Sequence, residues 1–185
     1  MIERNSFIPA ERALGLRFVV DLVNEVPAGE PGAAAERWQR ILAEHSGGEH
    51  PTERPGANEV LEATRQLRAF FSLRELADVA AAVNPLLELA GARPRFVEVR
   101  PGSWALRADP APGSGAIQRV LTGAAFALAS WAAEHGRTAW GICAADDCER
   151  VFIDEARRVP QRFCSPTCAT RSRVRAHRAK PVQPE

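Results

Sequence analysis

GICAADDCERVFIDEARRVPQRFCSPTCATRSRVRAHR, residues 141–178, holds all four cysteines of a 185-residue chain: Cys143, Cys148, Cys164 and Cys168. Four residues separate the first pair, fifteen lie between the pairs and three separate the second pair. Two close pairs joined by a spacer of about 12–20 residues suit a tetrahedral four-thiolate zinc site, because each pair turns back on one ion and the spacer lets the pairs approach from opposite sides. Disulfides that staple a fold are normally spread across it, whereas these thiols crowd into one 26-residue window. The competing readings are two disulfides and a cluster of idle reduced thiols. Four ligands close the coordination shell, so the expected cofactor is one structural Zn2+ per chain with no open position for a catalytic water.

Ser165-Pro166 reads as an N-cap followed by proline at the first helical position, which starts a helix carrying Cys168 in its first turn. Amide N–H groups at such a helix start can hydrogen-bond a thiolate and favour its charge. If the helix continues, Arg171, Arg175 and Arg178 share one face, with Arg173 pointing elsewhere, Lys180 beyond and Val174 expected to contact the zinc core. From Ala156 to Pro184 there are eight basic residues and no acidic ones, whereas residues 1–155 carry 16 basic against 22 acidic side chains, so a net charge of +1 hides an acidic body with a basic tail. That contrast points to a polyanion. The arginine row could meet successive phosphates of DNA, dock onto the acidic body or simply be solvated. No aromatic residue alternates with the basic ones, which favours duplex phosphate contact over single-strand stacking.

The same stretch resembles the CGNR zinc finger, a C-terminal module found in bacteria behind a helical domain in proteins described as stress-induced transcriptional regulators. The resemblance rests on the four cysteines at their spacing, Val151-Phe152-Ile153-Asp154 between the pairs, Arg162-Phe163-Cys164-Ser165, and the basic helix after Cys168. It departs at Cys168-Ala169-Thr170-Arg171, where Cys-Gly-Asn-Arg is usual; the retained Cys168 and Arg171 leave metal binding intact. Phe18-Val19-Val20-Asp21-Leu22-Val23-Asn24-Glu25 is more distantly similar to an apolar stretch of the same family that holds Asp and Asn. The resemblance implies a zinc protein and a regulator.

Upstream of the cysteines the hydrophobic periodicity is helical. Leu16, Val19, Val20 and Val23 predict a buried helix ending near Val26, with Pro27, Gly29, Pro31 and Gly32 as breakers, and Ala33 to Ala43 predict an amphipathic second helix before the polar run HSGGEHPTERPG. Val60, Leu61, Thr64, Leu67, Phe70 and Phe71 form a third helical stripe capped by Asn58. Ser72-Leu73-Arg74-Glu75 reads as a capping box opening a fourth helix, and Asn84-Pro85 as a restart ending near Gly91. Arg95 to Arg100 and Trp104 to Arg107 alternate around Pro101-Gly102 and give the single β-hairpin expected in the chain. Ile117, Val120, Leu121, Ala124, Ala125, Leu128, Trp131 and Ala132 place the central core helix over residues 116–135.

The fold class is therefore mainly α with one small β-hairpin, divided into a helical sensor or interaction domain over residues 1–138 and a treble-clef-like or knuckle-type zinc module over 139–185. Asp21 and Asn24, on an otherwise apolar helix, either line a pocket for a small-molecule effector or satisfy backbone groups of a neighbouring element. His45, His50 and His135 read as surface histidines, and Trp38, Trp104, Trp131 and Trp140 as core. No apolar run reaches the ~18–20 residues of a membrane span, and the charged N-terminus lacks the apolar core of a secretory signal, so the cytoplasm is the expected location and no membrane partner is expected. A phosphate loop, a nucleophile elbow and a catalytic-metal spacing are all missing, which argues against an enzyme. The expectation is a zinc-dependent transcriptional regulator contacting DNA through Arg171, Arg173, Arg175, Arg178 and Lys180. The alternative is a zinc-stabilised protein-interaction or small-molecule-binding module without DNA binding. Effector and homodimer are partners that the sequence leaves open.

Overall fold

A computed structural model describes residues 9–26, 31–45, 54–100, 102–155 and 159–178. The elements run α1 (Pro9–Glu25), α2 (Pro31–His45), α3 (Ala57–Phe70), α4 (Leu76–Leu89), β1 (Arg93–Arg100), β2 (Ser103–Asp109), α5 (Ala116–His135), β3 (Trp140–Ile142), β4 (Val151–Ile153) and α6 (Pro166–Arg178). Strands β1 and β2 form one antiparallel two-stranded sheet and β3 and β4 another. Among the described residues no helix is long and apolar enough to cross a membrane.

The helical stripes read from the sequence become one core. Leu16, Val19 and Leu22 of α1, Trp38 and Ile41 of α2, Val60 and Leu67 of α3, and Ala125 and Leu128 of α5 are almost wholly withdrawn from water, and Val79 and Val83 of α4 join them. Each buried Val, Leu or Ile side chain gains roughly 1.5–3 kcal/mol from burial, which is what holds the helices together. The α5 helix stops where the chain turns left-handed at Gly136 (φ 62°), a conformation that glycine adopts without the Cβ clash other residues meet.

Several boundaries differ from the sequence reading, each for a local reason. Pro31 and Gly32 open α2 instead of breaking the chain, since proline in the first turn loses no helical hydrogen bond. Helix α3 is capped at Gly56, not Asn58: the Gly56 N–H donates to Glu59 Oε2 at 2.7 Å, placing glutamate at the third helical position. Ser72 does not open α4; its hydroxyl donates to the Ala69 carbonyl at 2.7 Å and closes α3, while α4 begins after Glu75. Pro85 causes no restart but sits inside a continuous α4. Asn84, Pro85 and Ala81 are all exposed, so the carbonyl that proline leaves unbonded faces water. The hairpin over β1 and β2 forms as expected, but Trp104 is not core: among the ribbon residues whose burial is described only Ala108 is buried, and Trp104 stacks on Phe96 in solvent with ring centroids 5.3 Å apart. The other three tryptophans are buried.

The second sheet, β3 with β4, was not anticipated. Its register sets Gly141 opposite Phe152, and a Cβ on Gly141 would lie 3.1 Å from the Phe152 ring, so glycine is what lets the aromatic ring fold across the neighbouring strand. Trp140 and Val151 of this hairpin belong to the same apolar cluster as the helices. Polar contacts fix the seam: Trp140 Nε1 donates to the Phe70 carbonyl at 2.9 Å, and Trp131 Nε1 to the Ala139 carbonyl at 3.0 Å. Buried Asp154 donates its N–H to the Ala139 carbonyl at 2.9 Å, and its carboxylate pairs with Arg137 at 2.9 Å.

Asn24 acts at this seam as a strand would. Its Nδ2 donates to the Val151 carbonyl at 3.0 Å and its Oδ1 accepts the Val151 N–H at 2.8 Å, so one α1 side chain satisfies both backbone groups of a β4 residue. Asn24→Ala is expected to strand both groups and to cost about 1–3 kcal/mol, read as a lower urea midpoint at unchanged m-value.

Candidate metal centre

The β3–β4 hairpin carries the first two cysteines in its connection. Cys143 follows β3 directly and its N–H donates to the Arg150 carbonyl at 2.9 Å; Cys148 closes a turn by donating its N–H to the Ala145 carbonyl at 3.0 Å. Residues 143–148 thus form a knuckle with both sulfurs on one side. The second pair sits at the start of α6. Ser165 Oγ accepts the Cys168 N–H at 3.2 Å, which is the N-cap that the sequence indicates, and Cys168 falls in the first turn.

The four sulfurs all lie within 4.8 Å of one another. Cys148 to Cys164 measures 3.6 Å and Cys164 to Cys168 3.7 Å. A tetrahedron of sulfurs at a Zn–S distance of about 2.3 Å has edges of roughly 3.8 Å, so these separations fit zinc. Bonded sulfurs would stand about 2.05 Å apart, and all four cysteines are free, which disposes of the disulfide reading. Cys143 and Cys168 are buried, with Ala145 and a partly buried Phe163 against them. Val174, expected to make that apolar contact, is 45% exposed; Phe163 makes it instead, under the Arg162 guanidinium at 5.6 Å.

Electrostatics around the sulfurs favour a cation. Burial raises the Cys143 thiol, but the amides of Cys164 and Ala145 together with the Cys164 and Cys148 thiols outweigh it and bring the group down to about 7. Cys164 is pushed up to about 12, first by burial and then by the neighbouring thiols. Cys148 is raised too: the Arg150 backbone pulls it down, and burial with the Cys143 and Cys168 sulfurs overcomes that. Four crowded sulfurs cannot all carry charge unaided, and a dication that removes their repulsion deprotonates them together. The Cys164 N–H points at Cys143 Sγ (3.4 Å) and Arg171 Nη2 at Cys168 Sγ (3.6 Å), so donors surround the thiolates.

The remaining candidates are dispersed around this centre. Arg171 and Arg175 lie on α6 but face the knuckle: Arg171 Nη2 meets Asp147 Oδ1 at 2.9 Å, Arg175 Nη1 meets Asp146 Oδ2 at 2.8 Å, and Arg175 Nη2 reaches Asp147 Oδ2 at 4.0 Å. The Asp146 hydrogen bond, helped by the charge of both aspartates, holds Arg175 above its ordinary pKa. Arg173 and Arg178 are exposed, and Arg173 donates to Thr170 Oγ1 at 3.3 Å. Lys180 and His50 lie outside the described residues. Asp21 is half-buried against His45 Nε2 at 3.0 Å, and Asn24 is engaged with Val151. A cavity of about 210 Å³ opens beside Asn24, bounded also by Arg17, Arg150, Phe152, Gln161 and Cys164. Neither His45 nor His135 is a free surface histidine, since His135 packs on the Trp131 ring with centroids 4.0 Å apart. Sequence reasoning missed Asp146 and Asp147 as partners of the arginine row, although both stand plainly between the first two cysteines.

A hairpin knuckle supplying two thiolates and a helix N-terminus supplying two more define a treble-clef-like zinc finger, here packed on a helical body. Residues 140–181 match the model of the CGNR zinc finger, which the C-terminal module is thus similar to. A search of curated proteins finds no match to the chain.

The module binds one structural Zn2+ through Cys143, Cys148, Cys164 and Cys168. Elemental analysis is expected to give one zinc per chain. Cys148→Ser is expected to lose the metal and the amide-exchange protection of α6 while α1 to α5 keep their helical dichroism, because the few apolar residues of the module cannot order it alone. Since thiols must deprotonate to bind, lowering the pH is expected to weaken zinc retention against a chelator, and raising it to strengthen retention.

Proposed function

We propose that the protein is a DNA-binding regulator in which the zinc centre fixes the exit direction of α6, so that its arginines meet duplex phosphate. The observation that carries this reading is the charge and placement of the helix. Arg171, Arg173, Arg175 and Arg178 all lie on α6 and all are exposed, in a segment with eight basic residues and no acidic ones. A metal-anchored helix start fixes the row without a large apolar core, and each phosphate neutralised releases counterions from the duplex. With the coordination shell closed by four thiolates, the ion's role in this reading is architectural, and no catalysis is assigned to it.

A second reading, a protein-interaction module, is favoured by one specific observation: Arg171 and Arg175 already have carboxylate partners in Asp147 and Asp146. The two separate on salt. In the DNA reading, the protein is retained on generic duplex DNA at about 50 mM salt and released steeply as salt rises, and Arg175→Ala lowers the slope of log K against log salt by about one. Absence of retention at low salt, with zinc content intact, favours the interaction module.

A further inference from the structure

We propose that Asp146 and Asp147 are an internal phosphate substitute: they occupy Arg171 and Arg175 in the free protein and are displaced when α6 takes up a polyanion. The inference rests on the DNA reading and adds the regulation of the same surface. The knuckle between Cys143 and Cys148 needs a turn to bring its two sulfurs together, and that turn, closed by the Cys148 N–H on the Ala145 carbonyl, presents the two aspartates toward α6. The arginines they meet stand one helical turn apart on one face, and Arg175 reaches both carboxylates. A carboxylate and a phosphate offer the guanidinium the same pair of acceptor oxygens, so either can fill the position.

The exposure of the pairs decides whether the exchange can happen. The arginine side chains are 45% and 55% exposed and their aspartates 49% and 74%, so both pairs are solvated, screened by salt and weak. A buried pair would lock the helix; these can be traded for phosphate. Arg178, which shares the face of Arg171 and Arg175, has no carboxylate partner among the described residues, which leaves it open for first contact while the other two arginines remain engaged. Because the same ion orders knuckle and helix start, the aspartates and arginines keep their relative positions in the free protein.

The experiment compares duplex DNA binding by the zinc-loaded wild-type chain with Asp146→Asn, the Asp146→Asn/Asp147→Asn pair, and Glu149→Gln as control, all checked for one zinc per chain. Glu149 is 95% exposed and adjacent, but it faces Arg68 rather than α6. The expected result is tighter binding by about three- to tenfold in the double variant, roughly half of that effect on a log scale in the single one, and little change in the control. Equal binding by the wild type and the aspartate variants overturns the inference and leaves the DNA reading standing. An equal gain in Glu149→Gln overturns it as well, since net charge alone then accounts for the effect. If no protein binds at low salt, the DNA reading fails and the inference falls with it. Should the double variant lose zinc, Asp146→Asn alone decides, because Asp147 then still holds Arg171.

Discussion

Four sulfurs drawn within 4.8 Å of one another are the constraint on which the C-terminal module depends. Packing alone does not gather them: only Ala145 and Phe163 provide apolar cover beside the cysteines themselves. Burial and crowding oppose charge on them, as the rise of Cys164 to about 12 shows. A dication reverses that opposition into attraction and turns a loosely covered loop-and-helix segment into a defined body. The amide hydrogens aimed at Cys143 and the Arg171 guanidinium at Cys168 then serve as outer partners that spread the thiolate charge.

The metal orders the module internally, but the seam with the helices is made by other means. Trp140 and Val151 enter the helical core, Trp140 Nε1 finds the end of α3, and Asn24 of α1 replaces a missing strand neighbour for Val151. A three-residue strand at the margin of a two-stranded sheet has unpaired backbone groups, and an asparagine with one donor and one acceptor matches them. The pair Asp21 and Asn24 therefore divides: Asn24 joins helix to hairpin, whereas Asp21 turns to His45 of α2.

How much of this was legible depended on the kind of signal. The cysteine cluster was readable because coordination imposes spacing, and the long helices because burial of one face imposes a repeat of three and four; α5 has the bounds that its stripe implied. Caps were misplaced where two residues compete. Glu59 selects Gly56 over Asn58, and the Ser72 hydroxyl turns back to the Ala69 carbonyl instead of capping the helix ahead. The β3–β4 hairpin was hidden because three residues are too few to display alternation, and its one local clue, glycine opposite phenylalanine, exists only once the strands are paired. Trp104 shows the opposite limit. Alternation in the β1–β2 ribbon correctly implied strands, yet it could not say that the ribbon extends beyond the body and leaves Phe96 and Trp104 stacked on each other in water.

The arginine row shows why a charge count in sequence differs from a charge distribution in space. Along the chain, +8 over residues 156–184 stands apart from a body of net −6. In the fold, the knuckle brings two of the body's negative charges against the helix, so Arg171 and Arg175 are partly neutralised while Arg178 has no carboxylate against it among the described residues. A surface arranged in this way attracts an anion at its open positions first, and commits its engaged ones only if the incoming group outcompetes the carboxylates. In the proposed exchange the aspartates raise the charge density that an anion must bring before the whole row responds, which would favour a polyanion over single small anions.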